Sequence, residues 1–147
     1  MKLLQKNKKS YYEYTHIEIY IAGIKLLGSE IKSIRGGSVN IKNAHCIFTD
    51  GELFIRGMHI AEYKQSGTHQ NHEPTRERKL LLNKKELKKL LKGISTKGNT
   101  IVPTSLLLSK GGYVKLEIAL AKGKKLHNKR EDIKKKDIER ETQRKFK

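Results

Sequence analysis

The side chains in this sequence whose types and spacing could do chemistry are mostly cations. Their arrangement suits holding phosphate rather than making or breaking bonds. Lys122, Lys124, Lys125, Lys129 and Arg130 crowd around Gly123 and His127 in the stretch AKGKKLHNKR at 121–130. Arg76-Glu77-Arg78-Lys79 is a second cluster. Two arginines at alternate positions of an extended segment point the same way, which suits bidentate contact with phosphate. A third group, Lys32, Ser33 and Arg35, falls on the polar side of a short helical pattern, with Asn40 just beyond it. No catalytic residues are expected. The sequence has no GxxxxGK[ST] loop, no nucleophile elbow and no HExxH, the arrangements that would cradle a nucleotide, expose a nucleophile or hold a catalytic zinc. His69 and His72 invite a metal reading, but no third ligand stands at zinc-site spacing. They are expected to be exposed loop histidines. Cys46 is the only cysteine, so no internal disulfide can form, and its apolar neighbours predict a buried thiol. Neither a metal nor a cofactor is expected.

The charge of the whole chain agrees with the cation clusters. Lys and Arg outnumber Asp and Glu by 33 to 15 in 147 residues, for a net charge of +18. Residues 122–147 hold 12 basic and 5 acidic side chains, and residues 1–121 hold the remaining 21 and 10. A positive field over body and tail together points to RNA or DNA. A membrane surface is the competing polyanion, but no apolar run is long enough to span a bilayer and no Trp-bearing amphipathic helix is present. The N-terminus lacks the continuous apolar core of a signal peptide, which places the protein in the cytoplasm.

The elements that must position these cations emerge from periodicity. Residues 1–11 are polar and basic and are expected to form a loose leader. From Tyr12 the chain alternates, with Ile17, Ile19 and Ile21 on one face and Tyr14, His16, Glu18 and Tyr20 on the other, a strand running past Gly23. Ser29 is expected to cap a short helix that Gly36-Gly37 ends. Ala44 to Ile60 predicts a hairpin turning at Asp50-Gly51. Asn83 and Glu86 form a capping-box pattern ahead of the stripe Leu87, Leu90, Leu91 and Ile94. A second hairpin, Ile101–Leu108 with Val114–Leu120, turns at Lys110-Gly111-Gly112, and Pro103 demands an edge or a bulge. The fold class is therefore mainly β with α: a small β-barrel of five or six short strands with flanking helices over 1–121, and a basic tail over 122–147. The tail has good i,i+4 pairs, such as Glu131–Lys135, but no apolar stripe, so it is expected to fold on a partner.

Four collinear blocks, GSEIKSIRGG (28–37), HIAEY (59–63), HEPTRERKLLLNKKEL (72–87) and ALAKGKKLHNKRE (119–131), resemble the small protein B family, the tmRNA-binding proteins of bacterial trans-translation. The likeness spans roughly residues 7–140. It implies an oligonucleotide-binding-type barrel with flanking helices and a tail disordered when free. It implies that the body binds the tRNA-like domain of tmRNA while the tail enters the decoding region of a stalled 70S ribosome, against small-subunit ribosomal RNA. Elongation factor Tu is then an indirect partner through aminoacylated tmRNA, and the protein acts as a monomer. By the same resemblance Leu81 and Asn83 fall on positions implicated in tmRNA binding, and Gly123 and His127 on positions implicated in function on the ribosome. Two positions depart from the family pattern: Ile21 stands where Glu is usual, and Asn128 where Asp is common. The alternative reading is a general tRNA- or ribosomal-RNA-binding barrel of the translation-factor or ribosomal-protein kind.

Overall fold

The computed structural model describes residues 1–63 and 71–124. Its elements in chain order are β1 (Lys2–Lys6), α1 (Lys8–Glu13), β2 (Tyr14–Ile24), α2 (Gly28–Arg35), β3 (Val39–Asn40), β4 (His45–Thr49), β5 (Glu52–Arg56), β6 (His59–Ile60), β7 (Arg78–Leu81), α3 (Lys84–Ile94), β8 (Asn99–Leu108) and β9 (Val114–Gly123). The main sheet runs β1-β8-β4-β5-β7-β2-β9, and β9 also pairs with β8. That last pairing closes six strands into a ring, with β1 attached to the far half of β8. Closure leaves the barrel strands without a free edge. The expected mainly-β barrel with flanking helices is the observed architecture.

The core fills the ring with side chains from every wall. Ala22 and Ile24 of β2, Leu53 and Ile55 of β5, Leu80 of β7, Leu106 of β8 and Leu116 and Ile118 of β9 are all buried. Ile34 of α2 and Leu90 of α3 pack into the same core. The turn at Asp50-Gly51 has positive φ at both residues, 52° and 79°, the backbone that a two-residue hairpin of this twist requires. Pro103 sits at a bulge: the β8–β9 register shifts between Pro103 and Ser105. Gly93 in α3 is needed for a different reason. A Cβ there would overlap a methyl carbon of Leu120, so the glycine lets the helix lie down on β9.

One expectation needs correction. The N-terminal leader is not loose. Residues 2–6 form a strand on β8, and two amide side chains anchor it and the turn into α1. Gln5 donates to the Val39 carbonyl (2.8 Å) and accepts from the Ile41 N–H (2.7 Å), and Asn7 donates to the Pro103 carbonyl (2.8 Å). Polar side chains thus do the anchoring that hydrophobic periodicity could not reveal. The isoleucine face of β2 points outward: Ile17, Ile19 and Ile21 are 50%, 48% and 39% exposed, while Tyr20, Ala22 and Ile24 face the core. β9 continues to Gly123, paired with Tyr14, and the Lys124 N–H donates to the Glu13 carbonyl (2.9 Å).

Candidate nucleic-acid interface

The surface of interest is built where β7 leaves the loop after β6 and hands the chain to α3. By sequence, Arg76–Lys79 is a row of phosphate-binding cations. Its two arginines do point the same way, but the anion they meet is Glu30 of α2. Arg78 is completely buried and forms an ion pair with the equally buried Glu30 through Nε, while its Nη1 donates to the Met58 carbonyl (2.8 Å). Arg76 donates from Nη2 to the other carboxylate oxygen (2.6 Å) with its side chain 34% exposed. The Leu27 N–H also donates to Glu30 (2.8 Å). Arg78 is therefore withdrawn from the expected RNA contacts. Arg76 keeps one edge, Nη1, without a protein partner among the described residues. Lys79 stays on the surface, within 3.0 Å of the exposed Glu52 carboxylate.

These contacts set the ionisation of the network. Burial alone would raise the Glu30 pKa. The hydrogen bonds from Arg76, Leu27 and Arg78 outweigh it and hold the carboxyl below its ordinary value. Burial lowers the Arg78 pKa, with the Glu30 charge opposing that shift. The pair is retained as charges because each partner supplies what the other loses with water.

The remaining candidates divide between structural and surface roles. Ser33 is buried and donates to the Ala61 carbonyl (2.6 Å), so it too is structural. Ser29 is not the helix cap. It lies inside the first turn with its Oγ 2.8 Å from His72 Nδ1, while His72 Nε2 lies 2.8 Å from the Ile60 carbonyl it donates to. His72 is thus a buried strut rather than an exposed loop residue, while His69 falls outside the described residues. Lys32 stands over the Tyr63 ring (5.5 Å). Arg35 reaches the β8–β9 turn, with Nη2 3.5 Å from where a Cβ on Gly112 would lie. Asn40 is exposed on β3 and shares a cleft with Lys6, Lys8 and Lys42, apart from the other candidates.

Leu81 and Asn83 end β7 and open α3. Leu81 is 51% exposed and lies across β2, where a Cβ on Gly23 would approach its own Cβ to 3.2 Å. Asn83 caps α3 as predicted: its Oδ1 accepts from the Glu86 N–H (2.8 Å), and its N–H donates to the Glu86 carboxylate (3.2 Å). The amide nitrogen Nδ2 has no protein partner among the described residues and remains available as a donor. The clefts containing Leu81 and containing Arg76 with Lys79 share Lys25 and Leu26, so Arg76, Lys79 and Leu81 lie on one continuous face. Ile21 lies on the outside of the same wall, opposite Glu117, whose carboxylate accepts from Thr104 Oγ1 (2.6 Å). A neighbouring strand therefore carries an acidic group beside this departure from the family pattern. Lys122 and Gly123 belong to β9, and Lys124 comes directly after it. Lys125, His127, Lys129 and Arg130 lie outside the described residues.

A family model described as SmpB protein matches residues 4–147. The chain belongs to the SmpB family. Among its relatives, the SsrA-binding protein of Phocaeicola vulgatus is 51% identical over 142 residues, covering 97% of this chain and 94% of that protein. The SsrA-binding protein of Acholeplasma laidlawii is 50% identical over 147 residues, covering 100% and 97% respectively. A solved structure described as "tmRNA-SmpB: a journey to the center of the bacterial ribosome" matches with a TM-score of 0.69 and 41% identity, over 83% of this chain and 85% of that one. The SmpB membership covers the barrel and the basic tail alike.

The Glu30 network and the α3 cap each make a testable demand. A carboxyl held below its ordinary value of 4.5 stabilises the fold fully above that pH and loses its contribution as pH falls through the lowered value. Glu30→Gln should cost about 3–5 kcal/mol at pH 7, because it strands the Arg78 charge, and the deficit against the parent should shrink toward acid in denaturant titrations. At α3, Asn83→Ala should lose about 1 kcal/mol of stability. Asn83→Asp keeps an oxygen cap but removes the Nδ2 donor. It should melt like the parent while binding RNA as poorly as Asn83→Ala; parental affinity in the Asp variant would leave Asn83 a cap alone.

Proposed function

We infer that this protein binds tmRNA and brings it to stalled ribosomes for trans-translation, tagging incomplete peptides and freeing the ribosome. The observation that carries the reading is the SmpB match over residues 4–147. It is supported by relatives named SsrA-binding proteins at about half identity over nearly the whole chain and by likeness to a structure from the tmRNA–SmpB system of the ribosome. The barrel adds a physical basis. Its continuous face from Lys79 and Arg76 through Lys25 to Leu81 combines cations with apolar surface, as recognition of folded RNA by shape, backbone and unpaired bases requires. The function is non-enzymatic, and its setting is the cytoplasm, where ribosomes work.

In this reading the barrel, through Lys124, holds the tRNA-like domain. Lys32, Arg35, Arg76 and Lys79 supply charge, and Leu81 and Asn83 supply specific contacts. Lys125, His127, Lys129 and Arg130 belong to the tail that enters the empty decoding region beside small-subunit ribosomal RNA, where His127 stacks on an unpaired base. Elongation factor Tu arrives with the aminoacylated tmRNA, and one copy of this chain serves each complex.

Sequencing the RNA that copurifies with the protein tests the reading: tmRNA should dominate, and bulk tRNA or ribosomal RNA alone would favour a general translation-factor barrel instead. Arg76→Ala with Lys79→Ala should weaken tmRNA binding and make its dependence on salt shallower, since fewer counterions are released. An unchanged slope would make both residues ordinary surface charge. A protein ending at Lys124 keeps every barrel strand and should fold and bind tmRNA, more weakly for its lost charge, yet fail in peptidyl transfer to tmRNA on stalled ribosomes. Full transfer by the truncated protein would remove the tail from the mechanism.

A further inference from the structure

Next to Leu81 the barrel surface opens into a cleft of about 330 Å³ whose aromatic and buried apolar lining has no role in the reading above. Ile24, Leu26 and Ile31 give it an apolar lining, and Tyr113 stands at its side, 71% exposed. The tyrosine is held in place. A Cβ on Gly111 would come within 3.2 Å of two of its ring carbons, so the ring lies against bare glycine backbone. Its N–H donates to Ser109 Oγ (3.1 Å), and its carbonyl accepts from the Ser109 N–H (2.8 Å), which fixes the turn that carries it. Lys25 and Lys115 line the same cleft, and Arg35 reaches the turn at Gly112. None of the three is in an ion pair among the described residues, and no carboxylate lines the cleft.

We propose that this cleft binds a single unpaired nucleobase, stacked on Tyr113, with the flanking phosphates held by Arg35, Lys25 and Lys115. The inference rests on the RNA-binding reading above and adds to it a base-binding subsite. An aromatic ring beside an apolar floor suits the face of a base, whichever base it is. The free cations decide between occupants. An apolar side chain of a protein partner would cover the floor and leave three positive charges unneutralised at the rim, whereas a nucleotide satisfies floor and rim together. The volume is at the low end for small-ligand sites of ~300–1,000 Å³, which fits one nucleotide rather than a helix.

The test measures binding of the full-length protein to the tRNA-like domain of tmRNA over a range of salt concentrations, with thermal melting of each variant as a control for folding. Tyr113→Ala should bind about 10- to 100-fold more weakly with the salt slope unchanged, the loss of one base–aromatic stack. Tyr113→Phe should bind within about two-fold of the parent because the ring is what matters. Ultraviolet crosslinking of the parent complex should join RNA to the peptide carrying Tyr113. Parental affinity in Tyr113→Ala would overturn the subsite while leaving tmRNA binding intact. A Phe variant as weak as Ala would assign the effect to the hydroxyl and overturn stacking. A loss accompanied by a shallower salt slope would mean that phosphate contacts had moved, which also overturns it. Failure of the parent to bind this RNA would instead overturn the functional reading on which the subsite rests.

Discussion

The buried carboxylate of Glu30 is the constraint around which this surface is organised. It comes from the first turn of α2 and takes hydrogen bonds from Arg76, Arg78 and the Leu27 N–H. Removing any one donor leaves charge in a place that water does not reach, so the network holds as a unit. Its geometric effect is to lock α2 against the start of β7. Arg78 is also a ladder residue, paired with Ile55 of β5, so the ion pair fixes where β7 enters the barrel. Everything downstream inherits that register: Leu80 turns into the core, Leu81 turns out over Gly23, and Asn83 arrives in position to cap α3. A well-packed apolar replacement could give comparable stability, but it would not aim Arg76, which needs the same carboxylate to hold one edge while presenting the other to solvent.

How much of this is legible in the sequence depends on how far apart the partners lie along the chain. The α3 helix, the Asp50-Gly51 turn and the bulge at Pro103 are readable because their causes sit within a few residues of one another. Arg78, Ser33 and His72 mislead because their partners lie 48, 28 and 43 residues away. Alternate spacing correctly gives the two arginines a shared direction. It cannot say that a carboxylate of the protein itself already stands there. A buried acid in a short helix with an arginine-rich strand after it is a signal for such a pair, and GSEIKSIR with RERK carries it, though only in hindsight of the fold.

The outward isoleucines of β2 show a second limit. A period of two divides a strand into faces but does not say which one is inside. In a closed barrel the interior must accept residues from six strands, and the small Ala22 between Tyr20 and Ile24 fits that crowded space. The outer wall is left with Ile17, Ile19 and Ile21 about half exposed, continuous with exposed Leu81 at Gly23. Apolar surface beside free cations is costly for solubility alone and useful for RNA, whose bases and riboses need apolar contact as its phosphates need charge. The same distribution explains why the candidate interface is only partly visible in the sequence: its cations can be counted, whereas apolar residues such as Ile21 and Leu81 read as core.

The root of the tail separates what the fold requires from what the partner requires. Lys122 and Gly123 are strand residues, paired across β2 with Thr15 and Tyr14, and the Lys124 N–H closes the ladder on Glu13. The described chain therefore reaches Lys124 at a fixed point on the barrel. Yet the barrel makes little demand on Gly123 itself. Its backbone is not in the left-handed region, and a Cβ there would meet nothing closer than 3.9 Å, ordinary contact with the Tyr14 ring. Compare Gly93, where a side chain would run into Leu120, and Gly112, whose positive φ strains any other residue. A side chain at Gly93 or Gly112 disturbs the barrel before it disturbs anything bound to it. One at Gly123 leaves the barrel as it is, so packing within the barrel sets no demand for glycine at that position.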